Sequence, residues 1–175
     1  MIVSLTGFMG SGKTSVGRYL STLIQYDFLD LDDYIVNDQQ RPIPEIFATE
    51  GEAAFRKIER DCLEKVLDDY ESNGRSLILS LGGGAVTTPE CLKMVQDRTL
   101  CIYLKGSAST IRTHLLGGRS IEEAAKTRPL LAGNGIEDMM EKRSPIYEAA
   151  AHKVLLIDGR NVPTLAHKIQ EYLSI

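Results

Sequence analysis

Short apolar runs alternate with amphipathic stretches along this chain. MIVSL (1–5), YDFLD (26–30), SLILSL (76–81), LCIYL (100–104) and VLLID (154–158) are short and nearly continuous in apolar character, which predicts buried strands. Between them the period lengthens to that of a helix. One helix is predicted from Lys13 to about Leu23. A second is predicted in TEGEAAFRKIERDCLEKVLDDY, where Phe55, Ile58, Cys62, Val66 and Leu67 recur at helical spacing. Thr49 followed by Glu52 fits a capping box at its start, and Asn73-Gly74 ends it. Thr88-Pro89 and Ser107 are candidate starts for two more helices, and the last runs from about Pro163 to Leu173.

This strand–helix alternation predicts an α/β fold with a mostly parallel sheet and helices on both faces. Ligands of such sheets sit beyond the carboxyl ends of the strands, where strand order reverses. Functional residues are therefore expected at Thr6–Thr14, Asp30–Asp33, Ser80–Ala85 and just after Leu104. Segment 117–135 has glycines near both ends, three basic residues and little apolar content before Leu130, and is read as a mobile cover. In the following stretch, Pro145 is expected to kink or restart a helix, with Ser144 as a local cap.

Composition narrows the class. A chain of 175 residues, 43% hydrophobic and 25% charged, is the size and balance of one ordinary soluble domain. Its net charge of −4 argues against nucleic acid as a partner while leaving room for a local basic site that takes a small anion. No apolar run is long enough for a membrane span, and no basic segment precedes MIVSL as in a secretion signal. Cys62, Cys91 and Cys101 fit neither a disulfide framework nor a metal site and are expected to be reduced thiols acting as small apolar residues of a cytoplasmic protein. His114, His152 and His167 form no metal-binding pair and read as surface or structural residues.

The strongest chemical signal is Gly7-Phe8-Met9-Gly10-Ser11-Gly12-Lys13-Thr14, which matches G-x-x-x-x-G-K-[ST] between a predicted strand and a predicted helix. Its glycines let backbone N–H groups converge on phosphate oxygens, and the helix that follows turns its positive end to the same place. The expected ATP contacts are Gly10, Ser11, Gly12, Lys13, Thr14 and Ser15, with Lys13 on the β- and γ-phosphates and the Thr14 hydroxyl on Mg²⁺. Asp30 and Asp32, two apart on an extended backbone, are expected to point the same way. No strand ends in the aspartate usual for such a loop, so Asp30 is the candidate to hold Mg²⁺ through water. Asp32 is the candidate to orient a substrate hydroxyl or take its proton, the alternative for both acids being helix-start capping. Gly82-Gly83-Gly84 at the end of a central strand suggests a ligand pressed against the backbone. Arg128 in the cover is placed to neutralise charge during phosphoryl transfer. For Arg56, Arg128 and Arg143 the alternative is a solvated surface.

Taken together, GFMGSGKTSVGRYL, FLDLDDYI, IFATEGEAAFRKIE, LSLGGGAV, RPLL and KRSPIYEAA, in this order across most of the chain, resemble the shikimate kinase family. The resemblance implies a three-layer P-loop kinase fold with a five-stranded parallel sheet in the order 2-3-1-4-5. It implies one kinase domain over 1–175, with a substrate-binding segment at about 31–60 and a lid at about 112–130. It implies ATP-dependent phosphorylation of the 3-hydroxyl of shikimate in aromatic amino acid (chorismate) biosynthesis. Asp32, Arg56 and Arg143 match the family's shikimate ligands, with Gly82, Gly83 and Gly84 lining the same pocket. Arg128 matches the lid arginine that meets both substrates, and Thr14 and Asp30 the magnesium side. Two arginines fork a carboxylate well, and Glu59, one helical turn from Arg56, is expected to hold its guanidinium. DGRNVP (158–163) resembles the adenine-contacting loop and nominates Arg160, with Arg112 and Arg119 as alternatives. The expected partners are ATP and shikimate, and the expected state is a monomer. Two other readings stay open: another small-molecule P-loop kinase acting on gluconate or a nucleoside monophosphate, and a non-catalytic nucleotide-binding module.

Overall fold

The structure is a computed structural model describing residues 1–126 and 133–175. Five strands, β1 (Ile2–Thr6), β2 (Asp27–Asp30), β3 (Leu77–Ser80), β4 (Leu100–Lys105) and β5 (Lys153–Leu156), form one sheet in the order β2-β3-β1-β4-β5. Every pairing is parallel, with Leu5 opposite Ser80 on one side and Ile102 on the other. All of β1 and β3 is buried, so both faces of the sheet centre are covered, as unbroken apolar runs in a parallel sheet require. The edge strands β2 and β5 carry the exposed positions. The strand order is the one the family resemblance implies, and each strand falls within about one or two residues of the bounds read from the sequence.

Among the described residues the helices are α1 (Lys13–Ile24), α2 (Leu31–Gln39), α3 (Ile43–Glu50), α4 (Glu52–Ser72), α5 (Pro89–Arg98), α6 (Ala108–Leu116), α7 (Ile121–Ala125), α8 (Gly135–Ala150) and α9 (Val162–Leu173). A single 3₁₀ turn, Ala85–Thr87, connects β3 to α5. Ser107 caps α6 as expected, its hydroxyl accepting from the Thr110 N–H. Thr88 precedes Pro89 at the start of α5 without a side-chain cap bond.

Three expectations are corrected. Thr49 does not cap α4. It lies in the last turn of α3, where its hydroxyl donates to the Glu45 carbonyl, and Gly51 with φ of +86° separates the two helices. Pro145 does not break its helix, because α8 runs through it to Ala150. The lost donor costs little there, since Pro145 is solvent-exposed and water can reach the freed backbone. Segment 117–135 is not wholly a cover, because α7 lies within it and Ala124 is fully buried.

The helix that follows the phosphate loop is seated by a close approach. A Cβ built on Gly17 of α1 would lie 2.7 Å from Cε2 of Phe28 on β2 and 3.3 Å from Cδ1 of Leu5 on β1. Only a residue without a side chain lets α1 sit this close to the sheet. Gly17→Val is expected to destabilise the fold by about 1–3 kcal/mol through overpacking, despite the better helix propensity of valine. Thermal unfolding measured by circular dichroism checks this, and an unchanged melting temperature would show that α1 has slack.

Candidate active site

β1 ends at Thr6 and α1 begins at Lys13, so Gly7–Gly12 must turn the chain at the carboxyl end of the central strand. Gly10 and Gly12 take φ of +77° and +92°, a region that side chains disfavour. The Ser11 N–H closes the turn on the Phe8 carbonyl at 3.1 Å. From the far side α6 packs on the loop: a Cβ on Gly10 would lie 2.9 Å from the side chain of Leu115, and His114 Nδ1 is 2.7 Å from the Gly10 carbonyl. Ser11 Oγ is buried without a hydrogen-bond partner among the described residues, an orphan polar atom inside the loop. Lys13 Nζ donates to the carbonyls of Gly7 and Phe8 at 2.9 and 3.0 Å. Burial lowers its pKa to about 8, although Asp32 and Asp30 favour the charged form. Ser15 is exposed at the start of α1.

The acids follow β2. Asp30 ends the strand and caps α2, one carboxylate oxygen accepting from the Asp33 N–H at 3.1 Å and the other from the Thr14 hydroxyl at 2.8 Å. Capping α2 and lying against Thr14 are therefore not alternatives for Asp30. Asp32 is not on extended backbone, as expected from the sequence, but in the first turn of α2. It still turns to the site, its Oδ1 lying 2.8 Å from where a Cβ on Gly82 would be. Burial raises its pKa, with the negative Asp30 adding to the shift and Lys13 and Arg56 opposing it.

The glycine triplet after β3 takes one charged side chain at each position. Gly82 meets Asp32. Gly83 faces Arg143 of α8, its Cβ position 3.6 Å from Nη1 and equally 3.6 Å from the Met9 backbone nitrogen of the phosphate loop. Gly84 lies under Arg56 of α4, whose Cζ would be 2.8 Å from a Cβ there. Any side chain at 82 or 84 would displace a charged group. Arg56 Nη1 donates to Glu59 Oε1 at 2.9 Å, as the helical spacing anticipates, and its Nε lies 3.7 Å from Glu52. Glu59 is only 1% exposed, and burial raises its pKa against the pull of Arg56. The sequence did not single out Tyr147. Its hydroxyl donates to the Gly83 carbonyl, and the available signal was its position four residues after Arg143 on one helix face.

Next to α6 lies a groove of about 440 Å³ lined by Thr110, Thr113, His114, Gly159, Arg160 and Asn161. Of the arginines considered for a nucleotide base, Arg160 is here, donating to the Leu156 carbonyl at 3.0 Å. Arg112 is engaged with Glu137 at 2.7 Å, and Arg119 with the carbonyls of Leu115 and Leu116. Arg128 lies outside the described residues. Cys62, Cys91 and Cys101 are free and buried, and burial raises their thiol pKa values to about 11, 12 and 11.

The shikimate kinase family model matches residues 9–174. A shikimate kinase from Dictyoglomus turgidum is 35% identical over 173 residues, covering 98% of this chain and 96% of that protein. One from Thermus thermophilus is 37% identical over 176 residues, covering 98% and 89%. Among solved structures, shikimate kinase from Acinetobacter baumannii in complex with shikimate superposes with a TM-score of 0.82 at 31% identity, covering 99% of this chain and 93% of that one. A phosphate loop, two arginines and an aspartate gathered on one glycine turn, and relatives matched almost end to end all lead to one assignment: this chain belongs to the shikimate kinase family.

Proposed function

We propose that the protein transfers the γ-phosphoryl group of ATP to the 3-hydroxyl of shikimate, giving ADP and shikimate 3-phosphate, a step of aromatic amino acid biosynthesis. The observation that carries this reading is the convergence of Asp32, Arg56 and Arg143 on Gly82-Gly83-Gly84, beside the loop that holds Lys13. Shikimate offers one carboxylate and three hydroxyls. Arg56 and Arg143 take the carboxylate by charge-assisted hydrogen bonds, and Asp32 and the triplet's backbone orient the ring hydroxyls. A nucleoside monophosphate offers a phosphate and a base in place of a carboxylate and ring hydroxyls, while gluconate, also a hydroxylated carboxylate, is disfavoured by the family match rather than by this pairing.

Residues 10–15 bind the phosphates of ATP, Lys13 neutralising charge on the β- and γ-oxygens. The base lies in the groove at Arg160, and the orphan Ser11 hydroxyl gains a polar partner when phosphates arrive. Thr14 and Asp30, in contact at 2.8 Å, are hard oxygen donors of the kind Mg²⁺ takes alongside phosphate oxygens and water, so the donor set fits the metal. Bound there, Mg²⁺ supplies neutralisation of the phosphate charge. Asp32 orients the 3-hydroxyl and accepts its proton as that oxygen attacks the γ-phosphorus and the bond to the β-phosphate oxygen breaks. Arg128, from the lid at about 112–130, meets the transferring group. Chain 1–175 acts as one kinase domain, with 31–60 as its acceptor segment. The working unit in this reading is a monomer.

An ADP-release assay is expected to give turnover with shikimate and none with gluconate or AMP. Turnover on AMP alone would refute the acceptor assignment. Asp32→Asn is expected to lower kcat by about 10²–10⁴. Chelation by EDTA is expected to abolish turnover, with added Mg²⁺ restoring it. The pH profile follows from the two perturbed groups. Asp32 works as the carboxylate, so activity falls as acid protonates it, at a pH above the usual carboxylate range because its pKa is raised. Lys13 works as the ammonium, so kcat/KM for ATP falls as pH rises through about 8, where the free enzyme's Lys13 loses its proton.

A further inference from the structure

Helix α8 brings a second group to the acceptor pocket. Tyr147 follows Arg143 by about one turn and shares its face. Its ring is buried at 1% exposure and tilts against Tyr103 with 5.2 Å between centroids. Its hydroxyl donates to the Gly83 carbonyl, and Arg143 stands at the same glycine, its Nη1 3.6 Å from where a Cβ on Gly83 would be. A phenol has one proton to give. With that proton on Gly83, the oxygen keeps lone pairs for the guanidinium that stands at the same glycine. Burial raises the Tyr147 pKa to about 12, which keeps the donor protonated at working pH. The Gly83–Gly84 peptide is trans, so holding its carbonyl toward α8 turns the Gly84 N–H to the opposite side.

We propose that Tyr147 is a positioning residue that sets selectivity for the acceptor: it donates to Gly83 and accepts from Arg143, holding the carboxylate-binding guanidinium at a set distance from the hydroxyl-binding turn. Glycine at 82–84 gives the turn its closeness to the charged groups but also leaves it free to move. The phenol removes that freedom at a position where turn, α8 and phosphate loop meet, since Gly83 is the glycine of the triplet that has Met9 among its nearest neighbours. The inference rests on the acceptor reading proposed above.

The test is Tyr147→Phe, which keeps the ring and its packing on Tyr103 and removes only the oxygen. Initial rates are measured on the full chain with each substrate varied, alongside the melting temperature. KM for shikimate is expected to rise about tenfold, with KM for ATP changing less than twofold and the melting temperature within a few degrees of the parent. Because Tyr147 acts through Arg143, Arg143→Lys and Tyr147→Phe combined are expected to raise KM by less than the product of the single effects. An unchanged KM for shikimate, an equal rise in both KM values, or multiplicative single effects would each overturn the proposal. A parent enzyme inert toward shikimate would overturn the acceptor reading and this inference together. An active parent with an indifferent Tyr147→Phe would overturn this inference alone.

Discussion

The site depends on a close approach that only a bare backbone allows. Asp32 comes from α2, Arg56 from α4 and Arg143 from α8, and each is brought within side-chain reach of a different glycine of one turn. The turn stands at the carboxyl end of β3, which pairs with β1, the strand that ends in the phosphate loop. Two loops at the ends of neighbouring parallel strands are thereby held side by side, and Met9 and Gly83 are where they meet. The sheet contributes position, and the glycines contribute nearness.

Such nearness concentrates charge out of water, and the pKa shifts record how it is balanced. Burial works against the charged forms of Lys13, Asp32 and Glu59, and each is partly held by opposite charge: Lys13 by Asp32 and Asp30, Asp32 by Lys13 and Arg56, Glu59 by Arg56 and Arg143. The group is a network and not a set of separate pairs, so removing one member leaves others buried and uncompensated. This also reconciles a net charge of −4 with anionic ligands, because the cations that matter are drawn together locally while the excess acid lies elsewhere.

The sheet and the phosphate loop were legible because their signals are local. Strand runs and a glycine motif between strand and helix are read within a few residues, and the structure has both where the sequence set them. Helices α2 and α3 were not legible as helices. Each is short and buries little, Leu31 and Ile35 in one and Ile46 in the other, and both are held by packing on α4 rather than by a strong period of their own. The same shortage of signal let Thr49–Glu52 pass for a capping box, when Gly51 marks the boundary. Pro145 misled in the opposite sense, since a local rule for helix breaking gave way where the freed backbone faces water. The acceptor groups lie far apart in sequence, so no single stretch reveals their convergence. Their combination pointed to a family before any one of them pointed to a pocket.

In the function proposed above, arrangement by element also separates the two substrates' sides. Lys13 and Thr14 begin α1, and the groove that holds Arg160 is bounded by α6 and the turn after β5. The acceptor groups ride on α2, α4, α8 and the turn after β3. The phosphate loop touches both sets, through Gly10 against α6 and Met9 against Gly83. Two anions must be brought together for phosphoryl transfer, and their mutual repulsion is smallest when each is first neutralised by its own cations. A fold that gives each anion cations from its own elements, brought together at the loop where the phosphoryl group passes, meets that requirement with side chains already held by packing and hydrogen bonds.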